Sequence, residues 1–143
     1  MIYLDTGCLV KLYFPEPDSA RVAALVAGQA LVYSGLHELE VTNALELKVF
    51  RKEAVLKQAQ ATRGLIETDV RAGILHAPTL AWPDIWLAAS ELARKHSRML
   101  GCRSLDILHC AVAAQLDVTG FVSTDRRQRR LAAKLGLRCP EVR

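Results

Sequence analysis

The sequence predicts an α/β fold in which a central parallel β-sheet is flanked by helices. Short β-type runs alternate along the chain with longer segments whose apolar residues recur at helical spacing. This alternation is typical of parallel sheets, because two parallel strands need a crossover connection, which is usually a helix. The chain has 143 residues and is 51% hydrophobic, so we expect one folded domain, residues 1–143, and no disordered region.

Five short runs of β-type residues are predicted to be strands. They are residues 2–4, 31–33, 74–77, 121–122 and 137–139. Seven segments are predicted to be helices from the spacing of their apolar side chains. They are residues 9–13, 19–27, 36–50, 54–72, 83–96, 105–116 and 126–135.

Residues at the predicted helix boundaries support this assignment. Pro15 and Pro17 end the first helix, because proline cannot continue one. The candidate N-caps are Asp18 or Ser19, Ser34 and Ser104. Pro83 lies near the start of its helix, and Gly136 is a candidate C-terminal stop.

The charge distribution suggests a polyanionic partner. The net charge is +4 and the isoelectric point is about 9.0. Seven Lys or Arg residues lie between residues 126 and 143, against one acidic residue, Glu141. Positive charge is therefore concentrated at the C-terminal end, where it would attract a phosphate backbone.

The composition also limits the location and the redox chemistry. No apolar run approaches the roughly 20 residues of a membrane span, and Asp5 and Lys11 interrupt the N-terminal apolar stretch where a signal peptide would lie. We therefore expect a soluble cytoplasmic protein with no membrane partner. The cysteines, at positions 8, 102, 110 and 139, form no CxxC pair and no zinc-type spacing, so we expect reduced and mostly buried thiols.

Two acidic residues, Asp5 and Asp125, directly follow predicted strands and precede predicted helices. A carboxylate at such a junction can simply cap the helix. The same junction is the carboxyl end of a strand, where α/β sheets gather their ligands. Taken singly, each residue leaves both interpretations open.

Glu40 is predicted to lie on an apolar helical stripe, with Asn43 beside it. The stripe consists of Leu36, Leu39, Ala44, Leu47 and Phe50. A charged group that faces a core must be paired, liganded or neutralised. The alternatives are a buried salt bridge or a helix that is rotated relative to this assignment.

Asp106 lies in SLDILHCAVAAQL, where the predicted packing stripe is Leu105, Leu108, Val112 and Leu116. Asp106 shares a different face with His109 and Cys110, at spacings of three and four residues. Interaction with the helix dipole would by itself stabilise an Asp in the first turn, by about 0.3–1 kcal/mol.

Together, these four acids indicate a metal site. A parallel sheet could bring all four to one rim, where at a separation of about 5 Å and an effective dielectric of about 20 each pair repels by roughly 3 kcal/mol. Such a cluster needs protons or cations. Carboxylate ligands without His or Cys pairs suit Mg²⁺ or Mn²⁺, and one or two such ions can activate water for an in-line displacement at phosphorus. Metal-assisted cleavage of nucleic acid is the function that this pattern favours.

The four acids lie in the segments YLDTGCLVKLYFPEP, SGLHELEVTNAL, SLDILHCAVA and GFVSTDRRQRRLA. These segments resemble the PIN-domain family, and within it the VapC-type toxin ribonucleases of prokaryotic VapBC toxin–antitoxin systems. Their order and spacing match the family over essentially the whole chain. The resemblance implies a PIN-like fold and an endoribonuclease, dependent on Mg²⁺ or Mn²⁺, that acts as the toxin of a type II system. It also implies a homodimer and a cognate VapB-like antitoxin that occupies a groove near the site.

The resemblance implies a role for several residues. It assigns Asp5, Glu40, Asp106 and Asp125 to the acidic catalytic site that holds the metal. Thr6 corresponds to the hydroxyl residue that often follows the first acid, and Ser123 to the Ser or Thr two residues before the last. Gly7 departs from the family, which frequently has a small polar residue there, so it has no assigned role.

The remaining polar candidates keep two interpretations each. Arg103, Arg126 and Arg127 are candidate RNA contacts, or else solvated surface charges. His109 could orient a carboxylate or a phosphate, or it could be a semi-buried structural residue. The apolar helical series Trp82, Ile85, Trp86, Ala89 and Ala93 is predicted to pack in the core or at an oligomer interface.

Two alternative functions stay open. One is a catalytically silent PIN-like module that binds RNA or protein. The other is an Asp-based phosphatase-like domain, which is less well supported because DTG after the first strand lacks a DxD pair.

Overall fold

The computed structural model describes residues 1–142, and its helices and strands alternate as the sequence predicts. In chain order they are β1 (Ile2–Leu4), α1 (Thr6–Tyr13), α2 (Ser19–Val26), β2 (Leu31–Val32), α3 (Gly35–Phe50), α4 (Leu56–Arg71), β3 (Leu75–His76), α5 (Trp82–Leu92), a π-helix (Ala93–Ser97), α6 (Arg98–Leu100), α7 (Ser104–Gln115), β4 (Gly120–Val122) and α8 (Arg126–Lys134). No helix within residues 1–142 is long and apolar enough to cross a bilayer.

Within the described residues, the strands form one parallel sheet in the order β3-β2-β1-β4. Ile2 is in register with Leu31 of β2 on one side and with Gly120 of β4 on the other. The central strand β1 is therefore bonded on both edges. Its carboxyl end, and that of β4, lie at the same edge of the sheet, since Leu4 is in register with Val122.

The core divides between the two faces of the sheet, because successive side chains of a strand point to opposite faces. Leu4 belongs to the cluster that α1 to α4 cover, which includes Leu9 and Leu45. Tyr3 belongs to the cluster on the other face, which α5, α7 and α8 cover. The α/β class with a central parallel sheet is thus confirmed.

Three packing predictions were wrong. Leu39 and Phe50 are 64% and 81% exposed, because α3 turns a different stripe, with Val41 and Leu45, toward the core. Glu40 consequently lies at the margin of the buried face. Leu105 is also 41% exposed, because it lies at the start of α7 beside an open groove.

One predicted strand and one predicted helix cap were wrong. Residues 137–139 form no strand, although the backbone oxygen of Arg138 accepts a hydrogen bond from Phe121 N at 2.8 Å. Ser104 does not cap α7. The helix begins at Ser104, and Asp106 reaches back to accept from Arg103 N at 3.3 Å.

The cysteine prediction agrees with the structure. All four thiols are free, and Cys8 and Cys110 are buried. Burial raises the pKa of both thiols far above the ordinary value. These two cysteines therefore behave as small apolar side chains.

Candidate active site

Asp5 links the end of β1 to the start of α1. It is the N-cap residue of α1, and its Oδ1 accepts a hydrogen bond from Cys8 N at 2.7 Å. Its backbone N donates to Val122 O, so the same residue also continues the contact between β1 and β4. The residue is only 9% exposed. The capping interpretation of Asp5 is thus correct, and it engages only one of the two carboxylate oxygens.

Asp125 repeats this arrangement at the end of β4. It caps α8, with Oδ1 accepting from Arg127 N at 2.7 Å and from Gln128 N at 3.1 Å. Ser123 fixes the preceding turn, because its buried hydroxyl accepts from Asp125 N at 2.9 Å. As in Asp5, the second carboxylate oxygen accepts no hydrogen bond from the described residues.

The other two acids come from helices α3 and α7. Asp106, in the first turn of α7, places Oδ2 3.1 Å from Arg103 Nε. Glu40, on α3, accepts through Oε1 from the Thr6 hydroxyl at 2.9 Å and from His109 Nε2. In each case one carboxylate oxygen accepts from a donor, and the second oxygen of the same carboxylate has no hydrogen-bond partner within residues 1–142.

All four acids line one cleft of about 430 Å³. The residues around it are Asp5, Thr6, Gly7, Glu40, Arg103, Asp106, His109, Thr124, Asp125 and Gln128. Sequence positions 5, 40, 106 and 125 therefore converge on one place. The ends of β1 and β4 share one edge of the sheet, and helices α3 and α7 bring the other two acids to that edge. Only one Lys or Arg, Arg103, stands among these lining residues to offset four carboxylates.

The donor set fits a hard divalent cation. Each acid offers one oxygen that accepts no hydrogen bond from the part of the chain that the structure describes, and no thiol stands among the described lining residues. Within residues 1–142, no three His, Cys, Asp or Glu side chains are arranged to ligate one ion directly. Mg²⁺ usually binds through one or two carboxylates and keeps several waters, so this cleft suits an ion that contacts some of the acids through water.

The environment of Glu40 favours its ionised form. Partial burial acts to raise the pKa of this carboxyl. The hydrogen bonds from His109 and Thr6 outweigh that effect, so the pKa of Glu40 lies below its ordinary value. Glu40 therefore carries a negative charge at neutral pH, as a cation ligand must.

The structure separates the three candidate arginines. Arg103 lies at the cleft, and its side chain is 78% exposed. Arg127 donates to Gly101 O at 3.3 Å, which ties α8 to the loop before α7. Arg126 lines a different cavity, together with Arg129 and Arg130. Neither Arg126 nor Arg127 is among the described residues that line the acidic cleft.

Sequence reasoning missed Gln128 and Tyr3. Gln128 is buried, lines the cleft, and accepts from the Ser123 hydroxyl at 2.7 Å. Its position three residues after Asp125 is the capping-box spacing, which was the available signal. Tyr3 is buried in the central strand and contacts His109. Nothing in the sequence distinguishes it from an ordinary core residue.

A second cavity of about 550 Å³ adjoins the acidic cleft and shares Thr6, Gly7 and Glu40 with it. Its lining is partly apolar, with Val10 and Leu39. It also contains cations and acids, which are Lys11, Lys48, Arg51, Glu16 and Glu53. Gly7 lies where the two cavities meet, so a residue without a side chain leaves that junction open.

Comparisons with known proteins agree with this architecture. The family model of the PIN domain matches residues 2–134. Ribonuclease VapC47 of Mycobacterium tuberculosis (strain CDC 1551 / Oshkosh) is 31% identical over 133 residues, which cover 89% of this chain and 86% of that protein.

Two solved structures share the fold. The crystal structure of FitAcB from Neisseria gonorrhoeae has a TM-score of 0.68 at 17% identity, covering 99% of this chain and 98% of that one. The crystal structure of VapBC2 from Rickettsia felis, bound to a DNA fragment from their promoter, has a TM-score of 0.64 at 19% identity, covering 98% of both chains.

Proposed function

The chain belongs to the PIN-domain family, and from that premise we propose that it is a VapC-type endoribonuclease that depends on Mg²⁺ or Mn²⁺. One observation carries the proposal: four acids from distant parts of the sequence line one cleft, and each keeps one oxygen that accepts no hydrogen bond from residues 1–142. The relationship to a protein named as a ribonuclease supports RNA as the substrate.

We assign the roles within the cleft as follows. Asp5, Glu40, Asp106 and Asp125 hold the ion directly or through water. When bound, a divalent ion lowers the pKa of water and offsets the charge that develops on the phosphate oxygens. Thr6 orients Glu40 through its 2.9 Å hydrogen bond, and Ser123 fixes the turn that presents Asp125.

The basic residues suggest how RNA approaches the cleft. Arg103 is the exposed cation at the acidic cleft and is positioned to attract a phosphate. Arg126 and Arg127 lie outside the cleft at the start of α8, where they can contact the backbone of an RNA strand that extends beyond the scissile bond.

We further propose that the protein is the toxin of a type II toxin–antitoxin system and acts in the cytoplasm. Its partner would be a VapB-like antitoxin bound in the 550 Å³ groove, where exposed Leu39 offers an apolar contact. Occupying this groove would hinder access to Glu40, which lines both cavities.

We also propose a homodimer. Trp86 and Leu87 on α5 are 56% and 69% exposed, which leaves apolar surface available for a second copy. Light scattering after size exclusion measures the mass directly. A species of twice the 15.8 kDa chain mass is expected, and a monomer at micromolar concentration contradicts this part of the proposal.

An RNA-cleavage assay tests the enzymatic proposal. We expect cleavage with Mg²⁺ or Mn²⁺, none with excess chelator, and none for Asp5→Asn or Asp106→Asn. Asparagine retains the cap acceptor at position 5, so the Asp5 variant should stay folded. Asp84→Asn, on α5 and outside the cleft, is the matched control with full activity.

Two results would contradict the proposal. Chelator-resistant cleavage removes the role of the metal. RNA binding without cleavage by the wild-type protein indicates a silent binding module.

A further inference from the structure

A chain of three buried or half-buried side chains leads from the sheet to the acidic cleft. The Tyr3 hydroxyl lies 2.7 Å from His109 Nδ1, and His109 Nε2 contacts Glu40 Oε1. Tyr3 and His109 are almost completely buried. Of these two residues, His109 lines the cleft and Tyr3 does not.

The packing fixes the first two members of this chain. The Tyr3 ring stacks on Phe121, with ring centroids 5.5 Å apart, and meets the His109 ring edge-on at 5.6 Å. The phenol has therefore little freedom to rotate, and its hydroxyl meets the imidazole in one orientation. Tyr3 comes from the central strand and His109 from α7, so the pair rests on two rigid elements.

The hydrogen bonds determine which imidazole nitrogen faces Glu40. An ionised carboxylate only accepts hydrogen bonds, so the proton between His109 and Glu40 lies on Nε2. In the neutral imidazole Nδ1 is then an acceptor, and the Tyr3 hydroxyl donates to it, which gives a buried phenol the acceptor that it needs. The direction of donation is thus Tyr3 to His109 to Glu40.

Without a fixed hydrogen bond, the Glu40 carboxylate could point into either of two cavities. Its side chain lines both the acidic cleft and the wider groove. The bonds from His109 Nε2 and the Thr6 hydroxyl both end on Oε1. They hold this oxygen against α7 and α1 and leave Oε2 as the oxygen available to an ion.

We propose that Tyr3 and His109 are positioning residues that hold the Glu40 carboxylate in the acidic cleft. They act through Glu40 and contact neither substrate nor ion. The inference rests on the proposed function, because it assumes that Glu40 contributes to cation binding. It predicts that metal affinity depends on a phenol that is buried in the central strand.

The experiment measures Mn²⁺ binding by calorimetry in the absence of RNA, on wild type and folded variants. His109→Leu removes the donor and should weaken Mn²⁺ binding by about 10- to 100-fold, as is usual when a partner of a metal ligand is lost. His109→Gln keeps an N–H that can reach Glu40 and should restore most of that affinity. Tyr3→Phe should give an intermediate loss.

Tyr33→Phe is the matched control. Tyr33 is also a mostly buried tyrosine, but its hydroxyl donates to Glu38, away from the cleft. Its loss should leave Mn²⁺ affinity unchanged. A second readout is the dependence of cleavage on Mn²⁺ concentration. His109→Leu and Tyr3→Phe should need more Mn²⁺ than the wild type, yet approach the wild-type rate at saturation.

Glu40→Gln separates the positioning role of Tyr3 and His109 from the proposed function of the cleft. Weakened binding in Glu40→Gln, with wild-type affinity in Tyr3→Phe and in His109→Leu, overturns the positioning role alone. Absence of Mn²⁺ binding in the wild type overturns the proposed function and this inference with it. If His109→Leu does not fold, Tyr3→Phe decides, because it removes a single oxygen atom.

Discussion

The side-chain amide of Gln128 donates a hydrogen bond to the backbone oxygen of Asp106 at 3.3 Å. This contact joins the first turn of α8 to the first turn of α7. Because Gln128 also accepts from the buried Ser123 hydroxyl and donates its backbone N–H to Asp125, it connects the segments that carry the third and fourth acids of the cleft.

Replacing Gln128 with Leu should therefore destabilise the protein. The Ser123 hydroxyl would remain buried without its acceptor, and we expect the free energy of unfolding to fall by about 1–3 kcal/mol. Urea denaturation measures this. Gln115→Leu, at an exposed position of α7, is the control and should change stability by less than about 0.5 kcal/mol. Equal stability of the two variants would show that the Gln128 contacts are unimportant.

Substitutions of Asp125 should separate its structural from its functional role. An asparagine side chain at this position can still accept from the Arg127 and Gln128 amides, so Asp125→Asn should keep the stability of α8 but lose metal-dependent cleavage. Asp125→Ala loses the cap as well, and its free energy of unfolding should fall by about 1 kcal/mol. Thermal unfolding and the cleavage assay distinguish the two. Full cleavage by the Asn variant would remove Asp125 from the site.

The groove can be tested at Leu39, which is exposed and lines it. Leu39→Asp places a charge on an apolar contact and should weaken antitoxin binding by at least tenfold, while cleavage of RNA persists. Co-purification and calorimetry with the proposed VapB-like antitoxin measure the effect. Leu65→Asp, at a comparably exposed leucine of α4, should bind normally. Identical binding by both variants would place the partner elsewhere.

Acid should destabilise the protein through His37. This imidazole is buried, accepts from Ser34 N at 3.1 Å and donates to Leu4 O at 2.8 Å. Burial lowers its pKa from 6.5 to about 3. The unfolded chain therefore binds the proton first, so the stability is fully present above pH 6.5 and is lost as the pH falls toward 3.

Between pH 7 and pH 5 this effect amounts to about 2 kcal/mol. Urea denaturation of the wild type and of His37→Gln, at both pH values, isolates it. The Gln variant should lose less stability between the two conditions. The same pH dependence in both proteins would show that His37 does not cause the loss.

Much of the fold could be predicted from the sequence, because its signals are local. The alternation of strands and helices, the caps at Ser34 and Asp125, and the stop at Gly136 depend on neighbouring residues, and the structure confirms them. The stripe on α3 was wrong because apolar side chains recur on more than one face of this helix. Only its contacts decide which face is buried.

The candidate site, like the fold, was predictable from the sequence only in part. The acids Asp5 and Asp125 were recognisable from their place between a strand and a helix. That all four acids line one cleft depends on the parallel order β3-β2-β1-β4, which local patterns suggest but do not fix.

The sequence by itself determined most of the helices and strands and the candidate acidic residues, since backbone preferences and charge are properties of short segments. The tertiary structure alone decided the partners of those acids. Tyr3 and His109 are 106 positions apart, and Gln128 and Asp106 are 22 apart. Contacts at such separations arise only when the sheet aligns its strands and the helices pack against it.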